Sequence, residues 1–156
     1  RPKPLTESYE GVASLPTDPA ALLRWAYAQD VQNGDTSKDG VVYLLLNGIL
    51  RGNVLPPELE AAIFRAMKQI PGVTLQTVDI FGKPTYSLTF TDDWLREELL
   101  IDPRTYVYRG ERSTVVETTR IDPLKAGNST GEVRKGSTVI AERLATAIVD
   151  KPGQTR

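Results

Sequence analysis

The chain contains no cysteine and no histidine among its 156 residues. Without thiols there are no disulfides and no cysteine nucleophile. Without imidazole there is no Ser-His-Asp triad, no histidine general base and none of the usual zinc or copper sites. Lacking cysteine, the chain neither requires nor excludes an oxidising compartment. Long apolar runs are missing too. The longest, "VVYLLL", falls far short of the roughly 20 residues of a membrane span and is too short for a secretory signal. Charge of one sign is also scarce: 19 Lys and Arg stand against 20 Asp and Glu, a formal net charge of −1. The basic residues are scattered. The small group Arg104, Arg109 and Arg112 is interleaved with Glu111, so it reads as a solvated strand face rather than the basic stripe of a nucleic-acid binder.

What is present is ordinary for a folded domain. The apolar fraction is 40% and the charged fraction 25%, and the length suits one domain with a sizeable core. Residues 1–16, with three prolines and no periodicity, read as a tail or linker touching the domain at most through Leu5 and Tyr9. From there to about residue 70 the apolar period is helical. "PTDPAALLRWAYAQD" offers Thr17 or Asp18 as an N-cap, Pro19 in the first turn, and a stripe of Leu22, Leu23, Ala26 and Tyr27. A second helix is expected over about Ser37 to Arg51, its wide apolar face formed by Val41, Val42, Leu45, Leu46, Ile49 and Leu50. A third, "LPPELEAAIFRAMKQIPG", carries Leu59, Ile63, Ala66, Met67 and Ile70 on one stripe and ends at Pro71-Gly72.

After Gly72 the period falls to about two. "VTLQTV" and "PTYSLTF" are expected strands joined by a hairpin turn at "FGK", with Gly82 free to take a positive φ. "TDDWLREELL" can be a short helix or a turn leading into a strand, "LREELLI"; hairpins on both sides favour the strand. "DPRT" reads as a type I turn, after which "TYVYRGER" and "STVVETT" continue the antiparallel run with a bulge at Gly110. "RIDPLKAGNSTGEVRKG" reads as a long polar loop, and "STVIAERLATAIVD" as a closing strand or, second, a helix. Helices followed by strands, without alternation, give an α+β fold: about three N-terminal helices packed on a twisted, curved antiparallel sheet. The expected boundaries are a tail at 1–16, one domain at 17–150 (helices 17–70, sheet 73–150) and a tail at 151–156.

Carboxylate chemistry is the remaining enzymatic option, and the spacing disfavours it. Asp92 and Asp93 are adjacent in a turn and should diverge, whereas Glu97 and Glu98 should point to opposite faces of a strand. Neither pair is set to face across a cleft as a glycosidase requires. No EF-hand loop, P-loop or G-x-S-x-G elbow occurs, so no catalytic, cofactor-binding or metal-binding residue is assigned. Asn128 heads an N-S-T acceptor pattern, a signal relevant only in a eukaryotic secretory setting. The aromatics Tyr86, Phe90, Trp94, Tyr106 and Tyr108 are the candidate ligand or partner surface; the competing reading makes them core and cross-strand pairs.

Several blocks in order, "LPTDPAALLRWAYAQ", "LLNGILRGNVLPPELEAAIFRAMKQIPGV", "EELLIDPRTYVYRGER" and "AIVDKPGQ", resemble the extracytoplasmic domain of uncharacterised actinobacterial membrane-anchored proteins. Genes for that family often lie beside one for an extracytoplasmic-function sigma factor. The segment "TVDIFGKPTYSLTF…WLREELLIDPRTYVYRGE" is also similar, more weakly, to the half-barrels of periplasmic lipoprotein carriers and sigma-factor regulators. The first resemblance implies a domain outside the cell membrane, anchored by one helix that this chain does not include. Because the chain starts at Arg1 rather than Met, it reads as an excised or processed domain. The expected function is a non-enzymatic interaction or sensory module of a membrane-anchored regulator. A carrier holding a lipid or other apolar ligand between the sheet and the helices is the alternative, and a carboxylate hydrolase comes third. Expected partners are a protein or an apolar ligand, not nucleic acid, with no cofactor.

Overall fold

The computed structural model describes residues 9–31, 36–121 and 131–145. The helical half contains α1 (Tyr9–Ala13), α2 (Pro19–Ala28), α3 (Lys38–Gly52) and α4 (Pro57–Met67). Local chemistry sets their starts. The Asp18 carboxylate accepts the Ala21 N–H at 2.7 Å with Pro19 following it, and Ser37 Oγ accepts the Gly40 N–H at 3.1 Å. At its other end α3 stops at Gly52, and the Asn53 side chain donates to the Ile49 carbonyl. All five residues of the expected α4 stripe are buried. α1 lies inside the stretch read as a linker, and Val12 and Leu15 sit in the core. Five residues are too few to show a helical period, so that contact was hidden from pattern reading. Leu5 lies outside the described residues.

The strands are β1 (Thr74–Ile80), β2 (Lys83–Thr91), β3 (Leu95–Ile101), β4 (Tyr108–Val115), β5 (Thr119–Ile121), β6 (Gly131–Val133) and β7 (Thr138–Glu142). Five of them form one antiparallel sheet in the order β1-β2-β3-β4-β7, and β5 and β6 pair as a separate short ribbon. The fold is therefore α+β, with a strand where "LREELLI" was ambiguous. The expected polar loop at 120–136 includes the β5–β6 pair, and the "STVVETT" run is interrupted between Val115 and Thr119. Closing the domain, β7 is a strand; residues 146–156 lie outside the described residues, as does Asn128.

One sheet face, built from Leu88, Leu99, Ile101 and Tyr108 with Tyr86 and Phe90, joins the helices in a single core, and α3 packs against β4. Tyr43 of α3 lies wholly in that core, where its hydroxyl donates to the Leu88 carbonyl at 2.8 Å and reaches the Glu97 carbonyl at 3.2 Å. The opposite face is cupped. Ile80 of β1 and Ile140 of β7 belong to the two edge strands, yet both line one cleft, with Thr85 and Leu100 beneath them. Such curling explains how Thr85, Ser87 and Leu100 are buried on the face away from the helices.

Two irregularities shape the end of the sheet nearest this cleft. The β1–β2 turn has both central residues, Phe81 and Gly82, at positive φ (52° and 78°), the type I′ geometry of tight hairpins. Between β3 and β4 the register slips: Leu100 faces Gly110 and Ile101 faces Tyr108, leaving Arg109 as the bulged residue. Gly110 is required there, because a Cβ at that position would lie 2.1 Å from the Ala141 carbonyl oxygen of β7. The turn before β4 is longer than the four-residue type I turn expected. Asp102 Oδ1 accepts the N–H groups of Arg104 and Thr105, and the Tyr106 N–H donates to the Asp102 carbonyl. This side-chain-braced loop carries the chain through Tyr106 at positive φ, and β4 starts only at Tyr108.

Candidate functional site

The five aromatics do not form one groove. Tyr86 and Tyr106 gather around Phe64 of α4, with ring centroids 5.2 to 6.3 Å apart. Phe90 stacks on Tyr43 at 5.6 Å. Tyr108 is buried, with the Arg143 guanidinium 4.5 Å above its ring; burial raises its pKa to about 12. Trp94 sits in the β2–β3 turn, where its carbonyl accepts the Val116 N–H. Only Tyr86 and Tyr106 touch each other.

The carboxylates are placed as the strand alternation requires. Asp92 caps its own turn by accepting the Asp93 N–H, and Asp93 is exposed. Glu98 lies on the cupped face, 4% exposed, and Arg112 grips both its oxygens at 2.6 and 2.7 Å. Ser87 donates to it as well, at 3.1 Å, and Ser87 in turn bonds Thr89. Burial alone would raise the Glu98 pKa, but the bonds and charge of Arg112 outweigh it and the net shift is downward. At the bulge, Arg109 reaches Pro84 and Thr85 at 3.0 and 2.9 Å and pairs with Asp102. The cleft beside them, lined by Ile80, Lys83, Ile140 and Glu142 among others, has an interior of about 10 Å³, room for about one water molecule.

Glu97 points to the helix side. Its carboxylate accepts from Ser113 Oγ at 2.7 Å, and burial pushes its pKa up, with the neighbouring Glu111 adding to the rise. Register puts Glu97 opposite Ser113 and Glu111 opposite Leu99, so the two glutamates are diagonal neighbours on one face. From α3, Asn47 Nδ2 donates to Glu111 Oε2 and Arg51 Nη1 to Glu111 Oε1, both at 3.2 Å. Asn47 is 5% exposed, and among the described residues no donor reaches its Oδ1. Sequence reading passed over Asn47, Glu111 and Ser113. The available signal was one amide in the otherwise apolar "VVYLLLNGIL", four residues beyond Tyr43 and so on the same helical face.

The last surface is the β7 edge. Val115 N–H donates to the Ser137 carbonyl and Arg143 N–H to the Arg109 carbonyl, so odd-numbered residues face β4. Thr138, Ile140 and Glu142 therefore turn their N–H and C=O groups away from the sheet. Among the described residues no strand pairs with that side. All five β7 residues are exposed, with Val139 at 70%, Ile140 at 39% and Leu144, just beyond, at 89%. Sheet edges are ordinarily blunted by charge, proline or a cover, and β7 has only a terminal glutamate.

Among the described residues no three His, Cys, Asp or Glu side chains gather as a metal site, and no helix is long and apolar enough to cross a membrane. Comparison with family models, with curated proteins and with solved structures finds no match for this chain.

Proposed function

We propose that the chain is a non-enzymatic interaction module whose working surface is the free edge of β7, and that its partner is an extended peptide segment that joins the sheet as a sixth strand. The observation that carries this reading is the outward-facing backbone of Thr138, Ile140 and Glu142 beside exposed Val139, Ile140 and Leu144. Main-chain pairing supplies affinity in such strand addition, and alternate side chains supply selectivity. The supporting negative is chemical: the best-placed carboxylates, Glu98 and Asp102, are engaged by arginines. The resemblance of the sequence would put this surface outside the membrane, in a regulator anchored by a segment beyond this chain.

A carrier role is less well supported. Ligand pockets usually enclose about 300–1,000 Å³; between the sheet and the helices the side chains pack into one shared core, and the cleft on the opposite sheet face is far smaller.

Selection of random nonapeptides on the immobilised domain tests the proposal. Enriched sequences should alternate apolar residues and lose binding to Ile140→Pro. The Ile140 N–H points outward, so that substitution spares the ladder to β4 while blocking the edge. Equal binding to the wild type and Ile140→Pro would overturn the reading. Retention of lipid in native mass spectrometry, unaffected by Ile140→Pro, would favour the carrier instead.

A further inference from the structure

We infer that a second copy of this chain covers the β7 edge when no peptide holds it. The two β7 strands pair antiparallel about a two-fold axis at Ile140, so self-association and peptide binding compete for one edge. This rests on the reading of β7 as an open pairing edge and adds how that edge is regulated. A two-fold contact needs a surface that complements itself. The outward hydrogen-bonding groups belong to Thr138, Ile140 and Glu142, so an antiparallel mate aligns even-numbered residues with even-numbered ones. Only an axis at Ile140 gives each of them a partner within β7. The facing pairs are then Thr138 with Glu142, Val139 with Ala141, and Ile140 with its own copy.

The side chains agree with that register. Glu142 faces Thr138, whose hydroxyl can donate to the carboxylate, and the two Glu142 residues lie at opposite ends of the seam. An axis at Ala141 would instead set the two Glu142 side chains diagonal to each other, where like charges repel. Arg143, the next residue, faces Ser137. Around the axis the seam is apolar. Ile140 meets Ile140 on the cupped face, where it lines the cleft, and Val139 meets Ala141 on the other. Val139 and Ile140 are 70% and 39% exposed, and pairing takes both out of water. β7 has no lysine or proline to keep a second edge away. With only five residues in the strand, the contact falls well short of a permanent interface. Association is therefore weak and reversible, and the edge stays accessible to a competing peptide.

Because the chain has no cysteine, introduced thiols report the register directly. Facing residues of a non-hydrogen-bonded antiparallel pair have Cα atoms about 4.5 Å apart, within the span of about 4.4–6.8 Å that a disulfide bridges. Val139 and Ala141 form such a pair across the axis. An equimolar mixture of the Val139→Cys and Ala141→Cys chains, oxidised with glutathione disulfide, should give mostly the mixed dimer, and either chain alone little. In sedimentation velocity the wild-type mass should rise toward twice the monomer value with concentration. The synthetic peptide STVIAER, residues 137–143, should return it to monomer. Ile140→Pro should stay monomeric. Ile140→Lys, which sets like charges across the axis, should do the same and serves if the proline variant fails to fold. A wild type that stays monomeric throughout, a dimer indifferent to both substitutions, or a mixture that cross-links no better than its components would overturn the inference. If selected nonapeptides still bind and lose binding to Ile140→Pro, the open-edge reading survives that result; if their binding is indifferent to Ile140→Pro, it falls too.

Discussion

Glu97 and Glu98 are adjacent in sequence and opposite in environment, which makes them the sharpest residue-scale contrast in the molecule. Glu98 has a folded-state pKa below its ordinary value of 4.5. Its pairing therefore stabilises the fold fully above that ordinary value and fades as pH falls through the depressed one. Glu97 is shifted upward, so its charge costs stability at neutral pH, a cost that vanishes once pH drops below about 4.5. Urea unfolding at pH 7 should show Glu98→Gln less stable by about 3 kcal/mol, the usual scale for stranding one partner of a buried pair. Glu97→Gln should match or exceed the wild type, because Gln still accepts the Ser113 hydrogen bond. Equal losses in the two variants would contradict the assigned faces. Their opposite faces were legible from strand alternation alone. Their partners were not, since Arg112 and Ser113 are set by the pairing register of β3 with β4, which the bulge at Arg109 offsets.

At the scale of elements, capping residues and hydrophobic period located α2, α3 and α4 with little error, because those signals are local. Turns were read less well. The "DP" pair predicted a short turn, but the Asp102 side chain bonds two following amides and lengthens it. At the β1–β2 hairpin, glycine was expected at positive φ and is found there, but Phe81 shares that geometry while 70% exposed. A bulky residue in the left-handed region is strained by about 1 kcal/mol. Phe81→Asn should therefore raise stability by about 0.5–1 kcal/mol, seen as an upward shift in thermal midpoint. A fall would mean that Phe81 makes packing contacts outweighing its backbone strain.

For the molecule as a whole, the helices and the sheet share one core, and the N-terminal segment contributes to it. Deleting residues 1–16 removes Val12 and Leu15 from that core. A loss of about 3 kcal/mol or more in chemical unfolding is expected, since each buried aliphatic side chain contributes roughly 1.5–3 kcal/mol. An unchanged midpoint would show that the segment is a linker after all. By itself the sequence determined the α+β order, most helix boundaries and the absence of thiol and imidazole chemistry, because composition and period act within a few residues; over 95–101 it left helix and strand both open, and pairing with β2 and β4 decided for the strand. Only the tertiary structure decided that the candidate aromatics divide among separate clusters, that Asn47 meets Glu111 across 64 positions, and that among the described residues β7 is left as an open edge. Those outcomes depend on sheet order, register and curl, which arise from contacts between distant segments and leave no periodic trace in any one of them.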